Sequence, residues 1–587
     1  MAPSIDLQLP SSPSAFADAT WDDILPYYER LATVALDRAN VEQWLATWSR
    51  LEELVGEAAE LASIAFTSDT ADPAKEAAHL RFSTEIMPRL TEQSVRLARR
   101  LLENGFSRPD LETVIAEFRT DAEIFREENV PIFSELEELG ASYEKITGAM
   151  TVEWEGERKT LPQLQPLMKS PDRGVRERAW RLSLQPYIER HDDMADLFDG
   201  MVARRQAVAR NAGFANYEEY AYKAKHRFDY TPADVARFHR AVEAAVVPAV
   251  ERLHAYRRER LGVATLRPWD LSVDLHRSGP LKAFDDVDTF VRQGGQVFGC
   301  VDDELGAQFR LMASEGLLDL DSREGKAPGG YCTTLHSRGR PFIFMNAVGV
   351  PDDVNTLVHE AGHCFHAFAA KDLPFIWQRG TGMEAAELAS MSMELLAAPY
   401  LARPDGYYSA ADVRHAWIEH LEDVLVSLPH IASVDAFQSW VYTSGRGEDR
   451  DARDRAWLEI RARFERGVDW GGLEPQRVAR WYRQLHIFLS PFYYIEYGIA
   501  QLGALQIWRN ALRDQRGAVA RYKSALSLGG TKRLPEIYAA AGASLVFDPE
   551  PMAELVELVE TRLERLREEA GEEEEAVGVG GSPEGDS

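Results

Sequence analysis

Apolar residues recur every three or four positions along most of this chain, and Gly, Pro and Asp interrupt them at intervals. That period places apolar side chains on one face of an α-helix, so the pattern predicts a succession of amphipathic helices. The helices are predicted over Trp21–Leu36, Val41–Phe66, Ala74–Glu103, 173–212, 232–261 and nearly all of the chain from 352 to the C-terminal tail. No segment repeats at a fixed period, which argues against a solenoid.

Strand patterns are confined to two places. Residues 341–346 alternate and are rich in apolar side chains, which predicts a strand. Residues 150–162 predict a small hairpin with Gly156 in its turn. The predicted fold class is therefore mostly α, with a small β-sheet beside the helix that starts near residue 351.

The helix that starts near residue 351 carries two histidines one turn apart. Pro351-Asp352-Asp353 suits a first helical turn, because proline needs no hydrogen-bond partner there and acidic groups favour the positive end of the helix dipole. His359 and His363 are separated by about 40° around the helix axis, so both rings can reach one zinc ion. Glu360 lies about 60° from His363, within reach of a water on that ion.

This His-Glu-x-x-His arrangement is typical of metal-assisted hydrolysis of amide bonds. The alternative is a helix with two ordinary histidines and a surface glutamate. A catalytic zinc site has three protein ligands and an open fourth position. His366 lies one turn farther along the same helix, and we interpret it as a packing or supporting residue. Metzincins carry Gly and His where this chain has His366 and Ala369, which excludes that class.

The third ligand is expected on a second helix, predicted over residues 383–398. This segment is apolar on nearly every face apart from its glutamates, which predicts a buried helix. A buried carboxylate needs a partner or a metal ion, so one of these glutamates is expected to be a ligand. The candidates are Glu384, Glu387 and Glu394.

These blocks resemble the thimet oligopeptidase/oligoendopeptidase F family of zinc peptidases, and within it the bacterial Pz-peptidase-like oligoendopeptidases. Residues 359–366 match the family's His-Glu-x-Gly-His-x-x-His form, and Glu387-Leu388-Ala389-Ser390 followed by Glu394 matches its Glu-x-x-Ser…Glu segment. The resemblance implies that Glu387 is the third zinc ligand. Glu384 remains the alternative, because its spacing suits thermolysin-like enzymes.

Residues 328–346 also resemble the stretch that precedes the zinc helix in this family. The resemblance implies that the strand 341–346 lines the cleft and pairs with an extended peptide, which gives affinity without strong sequence preference. The alternative is a plain buried strand. The substrate-binding residues predicted here are Gly329, Gly330, Tyr331 and Phe344.

Residues 486–498 resemble the family's tyrosine-rich segment, in which a histidine and tyrosines stabilise the oxyanion of the substrate. Animal members have a glycine-rich run where this chain has Ser490-Pro491. The residues predicted to assist catalysis, in order of preference, are Tyr497 and His486, then Tyr494 and Tyr493.

The resemblance covers about residues 20–565 and implies two helical lobes around a deep central channel. The predicted organisation is a flexible N-terminus (1–19), a helical region (20–200), a catalytic zinc-peptidase region (201–567) and a disordered acidic tail (568–587). The tail is predicted to be disordered because it contains acidic, Gly and Pro residues and no basic ones.

Composition excludes several classes of partner. The 587 residues carry a net charge of −29, which argues against nucleic acids and anionic membranes. Three cysteines, without a Cys-x-x-Cys pair, fit a reducing compartment, and we interpret Cys364 as a packing residue. No apolar run predicts a membrane span, and the N-terminus does not resemble a signal peptide, so we expect a cytoplasmic protein.

The sequence therefore predicts a metalloendopeptidase that binds one Zn²⁺ per chain and hydrolyses internal bonds of short, unstructured peptides. Glu360 is its general base. The alternatives are a helical zinc carboxypeptidase and a non-catalytic helical protein that binds peptides. Co²⁺ or Mn²⁺ also suits such ligands, and the sequence leaves open whether the chain forms a homodimer.

Overall fold

The computed structural model describes residues 7–275 and 281–579, and for 571–579 the backbone only. The described part of the chain is predominantly helical, which confirms the mostly α fold class. The α-helices are α1 Trp21–Thr33, α2 Val41–Ser68, α3 Pro73–Leu80, α4 Met87–Asn104, α5 Glu112–Ile124, α6 Val130–Gly148, α7 Gln165–Met168, α8 Arg173–Glu189, α9 His191–Asn211, α10 Tyr217–Ala224, α11 Pro232–Ala241, α12 Val247–Arg260, α13 Val287–Val301, α14 Asp303–Ser314, α15 Pro351–Ala370, α16 Ile376–Arg379, α17 Met383–Ala397, α18 Ala410–Thr443, α19 Arg450–Phe464, α20 Glu474–Arg483, α21 Leu485–Leu489, α22 Ile495–Ala511, α23 Gln515–Leu526, α24 Leu534–Ala541 and α25 Pro549–Val579. The strands are β1 Thr151–Trp154, β2 Glu157–Thr160, β3 Leu318–Asp321, β4 Tyr331–Leu335 and β5 Arg340–Ala347.

Two of the predicted long helices contain a wider, π-type turn. These turns span Arg81–Ile86, between α3 and α4, and Val242–Val246, between α11 and α12. Each is followed two residues later by a proline, Pro88 or Pro248. A proline has no N–H to donate and clashes with the carbonyl four residues earlier, so the regular helical ladder is interrupted there.

The described residues form two compact units, and neither is a single continuous stretch. The first unit lies within Met1–Phe125, Leu281–Ala410 and Gly503–Leu545, and the second within Arg126–Pro280, Ala411–Leu502 and Val546–Ser587. The units thus differ from the predicted consecutive regions 20–200 and 201–567, because the chain returns to each unit after passing through the other.

The first unit contains the sheet and the helix with the two histidines. Strand β5 is the central strand, parallel to β3 and antiparallel to β4. Helix α15 packs on this sheet, and α17 packs along α15. The sheet therefore lies beside the predicted zinc helix, as expected.

The N-terminal helices of the first unit enclose a hydrophobic core that is rich in tryptophan. Trp44 and Trp48 are fully buried and pack on each other, and the ring centroid of Trp377 is 4.4 Å from that of Trp48. Phe16 is buried in this core as well. Residues 13–19 are therefore ordered by an apolar anchor, in contrast to the predicted flexible N-terminus, whose residues 1–6 lie outside the described part of the chain.

The second unit is helical apart from the hairpin of β1 and β2, in which Glu155 and Gly156 both adopt positive φ at the turn. Trp154 covers a small core that includes Leu164 and Ala179. The last helix, α25, continues to Val579 through part of the segment predicted to be disordered, since a run of glutamates has good helix propensity. Residues 580–587 lie outside the described residues. None of the described helices has the length and apolarity needed to cross a bilayer.

Candidate metal centre

A short turn between β5 and α15 fixes the start of the histidine helix. The carboxylate of Asp353 accepts hydrogen bonds from the N–H groups of Val348, Gly349 and Val350, at 2.8, 2.8 and 3.0 Å. These bonds satisfy donors that would otherwise be unpaired at the end of the strand and the helix start. The carboxylate therefore ties α15 to the sheet two turns before the histidines.

Three side chains from α15 and α17 converge on one point. One carboxylate oxygen of Glu387, Oε2, lies 3.4 Å from Nε2 of His359 and 3.8 Å from Nε2 of His363. The two imidazole rings are nearly perpendicular, with centroids 5.1 Å apart. In the described part of the chain, the ligand atoms of these three side chains are close enough to one another to hold a metal ion.

The donor set fits a zinc ion. Zinc with bonds of about 2.0–2.1 Å in tetrahedral geometry has neighbouring ligand atoms about 3.3 Å apart. The distances of 3.4 and 3.8 Å from Glu387 to the two imidazoles are close to that spacing. Two imidazole nitrogens and one carboxylate also match the His₂Glu composition of catalytic rather than structural zinc sites, and they leave one coordination position open.

Outer contacts orient each imidazole. Nδ1 of His359 lies 2.7 Å from the carboxylate of Glu394, one turn beyond Ser390 on α17. The ring of His363 is hydrogen-bonded to the main chain of Ala386. When Nδ1 of a histidine donates its hydrogen in this way, Nε2 carries a free lone pair that can bind a metal ion. Both rings are therefore held with Nε2 toward Glu387.

The side chain of Glu387 is also held in place. The hydroxyl of Ser390 donates to Oε2 of Glu387 at 2.9 Å, and both residues are buried. The hydroxyls of Tyr522 and Tyr538 donate to the carbonyl oxygens of Ala389 and Glu384 on the same helix, at 2.9 and 3.0 Å. The first two turns of α17 are therefore fixed against neighbouring elements of the first unit.

The side chains of His359, His363 and Glu387 strongly perturb one another's pKa values. Burial opposes protonation of His359, but the carboxylates of Glu387 and Glu394 outweigh it and raise its pKa well above the ordinary value. Burial lowers the pKa of His363 to about 4. Burial disfavours the charged carboxylate of Glu387, but hydrogen bonds and charge from His359 and His363 outweigh this and lower its pKa. Without a metal ion, the two carboxylates therefore favour the protonated form of His359.

Glu360 lies next to this group but does not belong to it. Burial, together with the negative charge of Glu387, raises its pKa to about 7, although the charge of His359 and the N–H of Cys332 act in the opposite direction. A carboxyl group that titrates near neutral pH can accept a proton and return it during one reaction. The residue therefore has the properties of a general base.

The contact between Glu394 and His359 leads to a prediction. Replacing Glu394 by Gln should weaken zinc binding by about 10–100-fold, because a neutral amide stabilises the metal-binding form of the imidazole less than a carboxylate does. Competition with a chromogenic chelator measures the affinity. Unchanged affinity would show that Glu394 does not support the site. Asp352→Asn, which removes an exposed acidic group from the start of α15, is the control.

Gly362 allows α15 and α17 to approach closely enough to bring His359, His363 and Glu387 together. A Cβ atom at this position would lie 2.5 Å from Cα of Ser390 and 2.7 Å from the carbonyl oxygen of Ala389. Both contacts are to backbone atoms, so the helices would have to separate. The glycine in the His-Glu-x-Gly-His segment therefore has a packing role.

Gly362→Ala is expected to lower the free energy of unfolding by about 1–3 kcal/mol, because the added methyl group overpacks the helix contact. Gly56→Ala is the matched control, since Gly56 also lies inside a helix of the first unit and a Cβ atom added there would have nothing within 4 Å. That change should stabilise by about 0.5–1 kcal/mol through helix propensity. Urea unfolding measures both; equal effects of the two changes would contradict the packing role.

The remaining candidates on the two helices lie outside the ligand group. Neither Glu384 nor His366 belongs to the group of His359, His363 and Glu387, although both are buried. Burial lowers the pKa of His366 to about 4. Cys364 is buried with its Sγ atom 3.4 Å from that of Cys332 on β4. Its interpretation as a packing residue agrees with this position.

The structure corrects the role predicted for the strand at 341–346. Both edges of β5 are occupied, by β3 and by β4, so it has no free edge for a peptide. The side chain of Phe344 is 0% exposed and stacks on Tyr331 with a centroid distance of 4.9 Å. Phe344 is therefore a core residue and not a substrate contact.

The other residues predicted to bind substrate lie at the start of β4. Gly329 has φ of +98°, which favours glycine, and a Cβ on Gly330 would lie 3.4 Å from the carbonyl oxygen of Phe344. The hydroxyl of Tyr331 is 2.7 Å from that of Thr67. Strand β4 has a strand neighbour on one side only within the described sheet, so it is the edge strand next to Glu360.

The predicted histidine and tyrosines of 486–498 lie together in the second unit. The ring of His486 has its centroid 4.8 Å from that of Tyr494, 5.8 Å from that of Tyr493 and 6.1 Å from that of Tyr497. Phe492, which lies between His486 and Tyr493 in the chain, has φ of +62°, an uncommon conformation for a bulky residue. The four side chains form one cluster, which we call the tyrosine cluster.

Two contacts hold the strained turn at the base of the tyrosine cluster. The side-chain oxygen of Gln438 accepts a hydrogen bond from the N–H of Phe492 at 2.9 Å, and the guanidinium of Arg227 donates to its carbonyl oxygen. Backbone strain of this kind persists only where neighbouring contacts oppose relaxation, and it is concentrated at functional sites. The strained conformation of Phe492 is therefore maintained by hydrogen bonds from neighbouring segments.

The sequence indicates the three residues of the group, but three other features of the site have no role assigned from the sequence. These are the contact of Glu394 with His359, the close approach at Gly362 and the N–H of Cys332 beside Glu360. The seven-residue spacing of Glu387 and Glu394 was a usable signal, since it places both carboxylates on one face of a helix. The other two depend on packing between distant segments.

Comparisons with known proteins identify the family to which this chain belongs. The family model described as peptidase family M3 matches residues 166–554, and that of the peptidase M3 N-terminal domain matches residues 16–124. The oligoendopeptidase F homolog of Borreliella burgdorferi is 22% identical over 435 residues, which is 70% of each chain.

Solved structures show the same similarity. A structure of Pz peptidase A with an inhibitor is 28% identical, with a TM-score of 0.84 over 95% of this chain and 99% of that one. A 3.1 Å X-ray structure of a proposed oligoendopeptidase F is 29% identical, with a TM-score of 0.84 over 96% of this chain and 99% of that one. The resemblance found in the sequence is confirmed: the chain belongs to peptidase family M3 and is a metallopeptidase.

Proposed function

We propose that this protein is a zinc-dependent endopeptidase that hydrolyses internal peptide bonds of short, unstructured peptides. The observation that carries the proposal is the convergence of His359, His363 and Glu387 on one point, with Glu360 beside them. Its similarity to oligoendopeptidase F proteins supports the substrate class.

In this proposal, the three ligands hold the ion and the remaining groups handle protons. When bound, zinc supplies a Lewis acid that activates water and polarises the substrate carbonyl. Glu360 takes a proton from the attacking water and later delivers it to the nitrogen of the leaving amine. Glu394 keeps His359 oriented during both steps.

The peptide would pair with β4 rather than with β5. Strand β4 lies at the edge of the sheet, and the N–H of Cys332 faces the carboxylate of Glu360. Main-chain hydrogen bonds to an edge strand bind an extended peptide with little dependence on its side chains. The resemblance assigns oxyanion stabilisation to Tyr497 and His486, followed by Tyr494 and Tyr493, and that assignment remains a prediction.

The pKa of Glu360 predicts the acid side of the pH profile. A general base acts when deprotonated, so kcat/KM should rise with pH through its pKa. That pKa is about 7 without a metal ion, and a nearby divalent cation lowers it, so the midpoint should lie below 7 in the zinc enzyme. Initial rates with a quenched fluorescent peptide at saturating zinc measure it. A profile that is flat between pH 5 and 7 would contradict this role.

Product analysis tests the endopeptidase assignment. A peptide of about ten residues, blocked at both ends, should be cut internally by the zinc-loaded protein and left intact after chelation. The second candidate, a helical zinc carboxypeptidase, would release single residues only from a free C-terminus. Mass spectrometry of the products separates the two, and no cleavage of any peptide would reject both.

A further inference from the structure

A chain of hydrogen bonds in the second unit ends at His486 of the tyrosine cluster. Arg461 on α19 donates from a terminal guanidinium nitrogen to Nδ1 of His430 on α18, at 2.9 Å. Nε2 of His430 lies 3.1 Å from the side-chain oxygen of Gln484. The amide nitrogen of Gln484 lies 3.0 Å from Nδ1 of His486. The four residues therefore form one continuous relay.

The direction of this relay is fixed at its first member. A guanidinium group has donors and no acceptor, so Nδ1 of His430 must accept the hydrogen bond from Arg461. The single ring hydrogen of neutral His430 is then on Nε2 and is donated to the oxygen of Gln484. The amide nitrogen of Gln484 is left to donate to Nδ1 of His486. Each step follows from the one before it.

The surroundings keep the relay in this protonation state. Burial and the charge of Arg461 lower the pKa of His430 to about 3, so it is neutral at physiological pH. Burial also lowers the pKa of His486. Arg461 itself is 3% exposed and is held by the carboxylate of Glu465, which also binds Arg477 and Arg480. The donor at the start of the relay is therefore fixed in position.

The far side of the His486 ring has no hydrogen-bond partner among the described residues. Within residues 7–275 and 281–579, Nε2 of His486 makes no hydrogen bond, whereas Nδ1 is occupied by Gln484. A neutral imidazole that accepts at Nδ1 carries its hydrogen on Nε2. The ring therefore presents an N–H donor that the rest of the described chain does not use.

We propose that Gln484 is a positioning residue that, through the relay from Arg461, holds His486 as the neutral tautomer with an Nε2–H donor available to a substrate oxygen. The use of that donor rests on the proposed peptidase function, whereas the tautomer does not. A developing oxyanion needs donors that are already oriented, because reorganising them during the reaction raises the barrier. The relay supplies that orientation without adding a charge.

Gln484→Glu tests the relay with an almost isosteric side chain. A carboxylate accepts and does not donate, so the neutral ring of His486 must then carry its hydrogen on Nδ1, and Nε2 becomes an acceptor. Nitrogen-15 spectra of a deuterated protein with labelled histidine report the tautomer of each ring, and His486→Asn assigns the signal among the 14 histidines. The wild type should show protonated Nε2, and Gln484→Glu should show protonated Nδ1. The reverse assignment in the wild type would overturn the proposal.

Kinetics of the zinc-loaded enzyme test whether the donor is used. Gln484→Glu should lower kcat by about 10²-fold with little change in KM, the loss typical for one oxyanion donor. His486→Asn should cost a similar factor, and the double variant should cost no more than either single change, because both remove the same donor. Independent, multiplying losses would overturn the positioning role. Gln185→Glu, at an exposed position of the same unit, is the control for the added charge.

The nitrogen-15 spectra and the kinetics distinguish an error in the proposed relay from an error in the proposed peptidase function. An active wild-type enzyme with protonated Nδ1 on His486 overturns the relay and leaves the peptidase assignment intact. A zinc-loaded wild type that cleaves no peptide overturns the peptidase assignment, and with it the catalytic use of the donor, even when Nε2 is protonated.

Discussion

Replacing Glu360 by Gln is expected to lower kcat by about 10²–10⁴-fold while zinc remains bound. Glu360 is buried beside the ligand group and is not a member of it, so its loss removes no metal bond. Gln has nearly the same shape and still accepts a hydrogen bond from Cys332, but an amide cannot take a proton from water at neutral pH. The loss therefore appears in turnover and not in metal content.

Two measurements on the same sample make this test specific. Elemental analysis should give one zinc per chain for both Glu360→Gln and the wild type, and a quenched fluorescent peptide measures kcat. Asp352→Asn should turn over like the wild type, because Asp352 is exposed at the start of the same helix. A fully active Glu360→Gln enzyme would exclude Glu360 as the base.

Glu387→Gln should weaken zinc binding by more than about 100-fold, because losing a direct ligand costs more than losing a residue that only orients one. The carboxylate of Glu387 is 3.4 and 3.8 Å from the two imidazole nitrogens, and it supplies the negative charge in the ligand set. Glu384 is also a buried glutamate on the same helix, three residues earlier, but it lies outside the group. Glu384→Gln should therefore keep zinc.

The pair of variants decides between the two candidates that the sequence left open. Zinc affinity is measured by competition with a chelator, and urea unfolding of the metal-free proteins checks that both variants fold. Loss of zinc from Glu384→Gln together with its retention by Glu387→Gln would show that the third ligand had been assigned to the wrong residue.

The helices and the placement of the two histidines on one helix face could be predicted because their signals are local. The sequence predicts the start of α15 at Pro351 and a second helix over 383–398, and the structure has α15 from Pro351 to Ala370 and α17 from Met383 to Ala397. Helical spacing alone places His359 and His363 on one face. Choosing Glu387 over Glu384 needed the family resemblance, since both spacings are compatible with a ligand.

The sequence-based predictions differ from the structure where segments that are distant in the chain contact one another. The strand at 341–346 was identified, but its central place in the sheet depends on β3, a short strand that the sequence pattern did not predict. The burial of Phe344 follows from that place, because a central strand has both edges occupied. The interleaved units likewise result from contacts between segments that lie far apart in the chain.

The relay to His486 could not be predicted from the sequence for the same reason. Its members come from α18, from α19 and from the segment around α21, and no periodic pattern connects them. The sequence suggested the histidine, whereas the structure supplies the order of donors and acceptors that determines which nitrogen carries the hydrogen.

Anomalous diffraction from zinc-loaded crystals, recorded above and below the zinc absorption edge, tests the metal centre most directly. We predict one strong peak per chain, bonded to Nε2 of His359, Nε2 of His363 and the carboxylate of Glu387 at about 2.0–2.2 Å. A peak bound elsewhere, or no peak between these three side chains in a crystal that contains zinc, would contradict the metal centre.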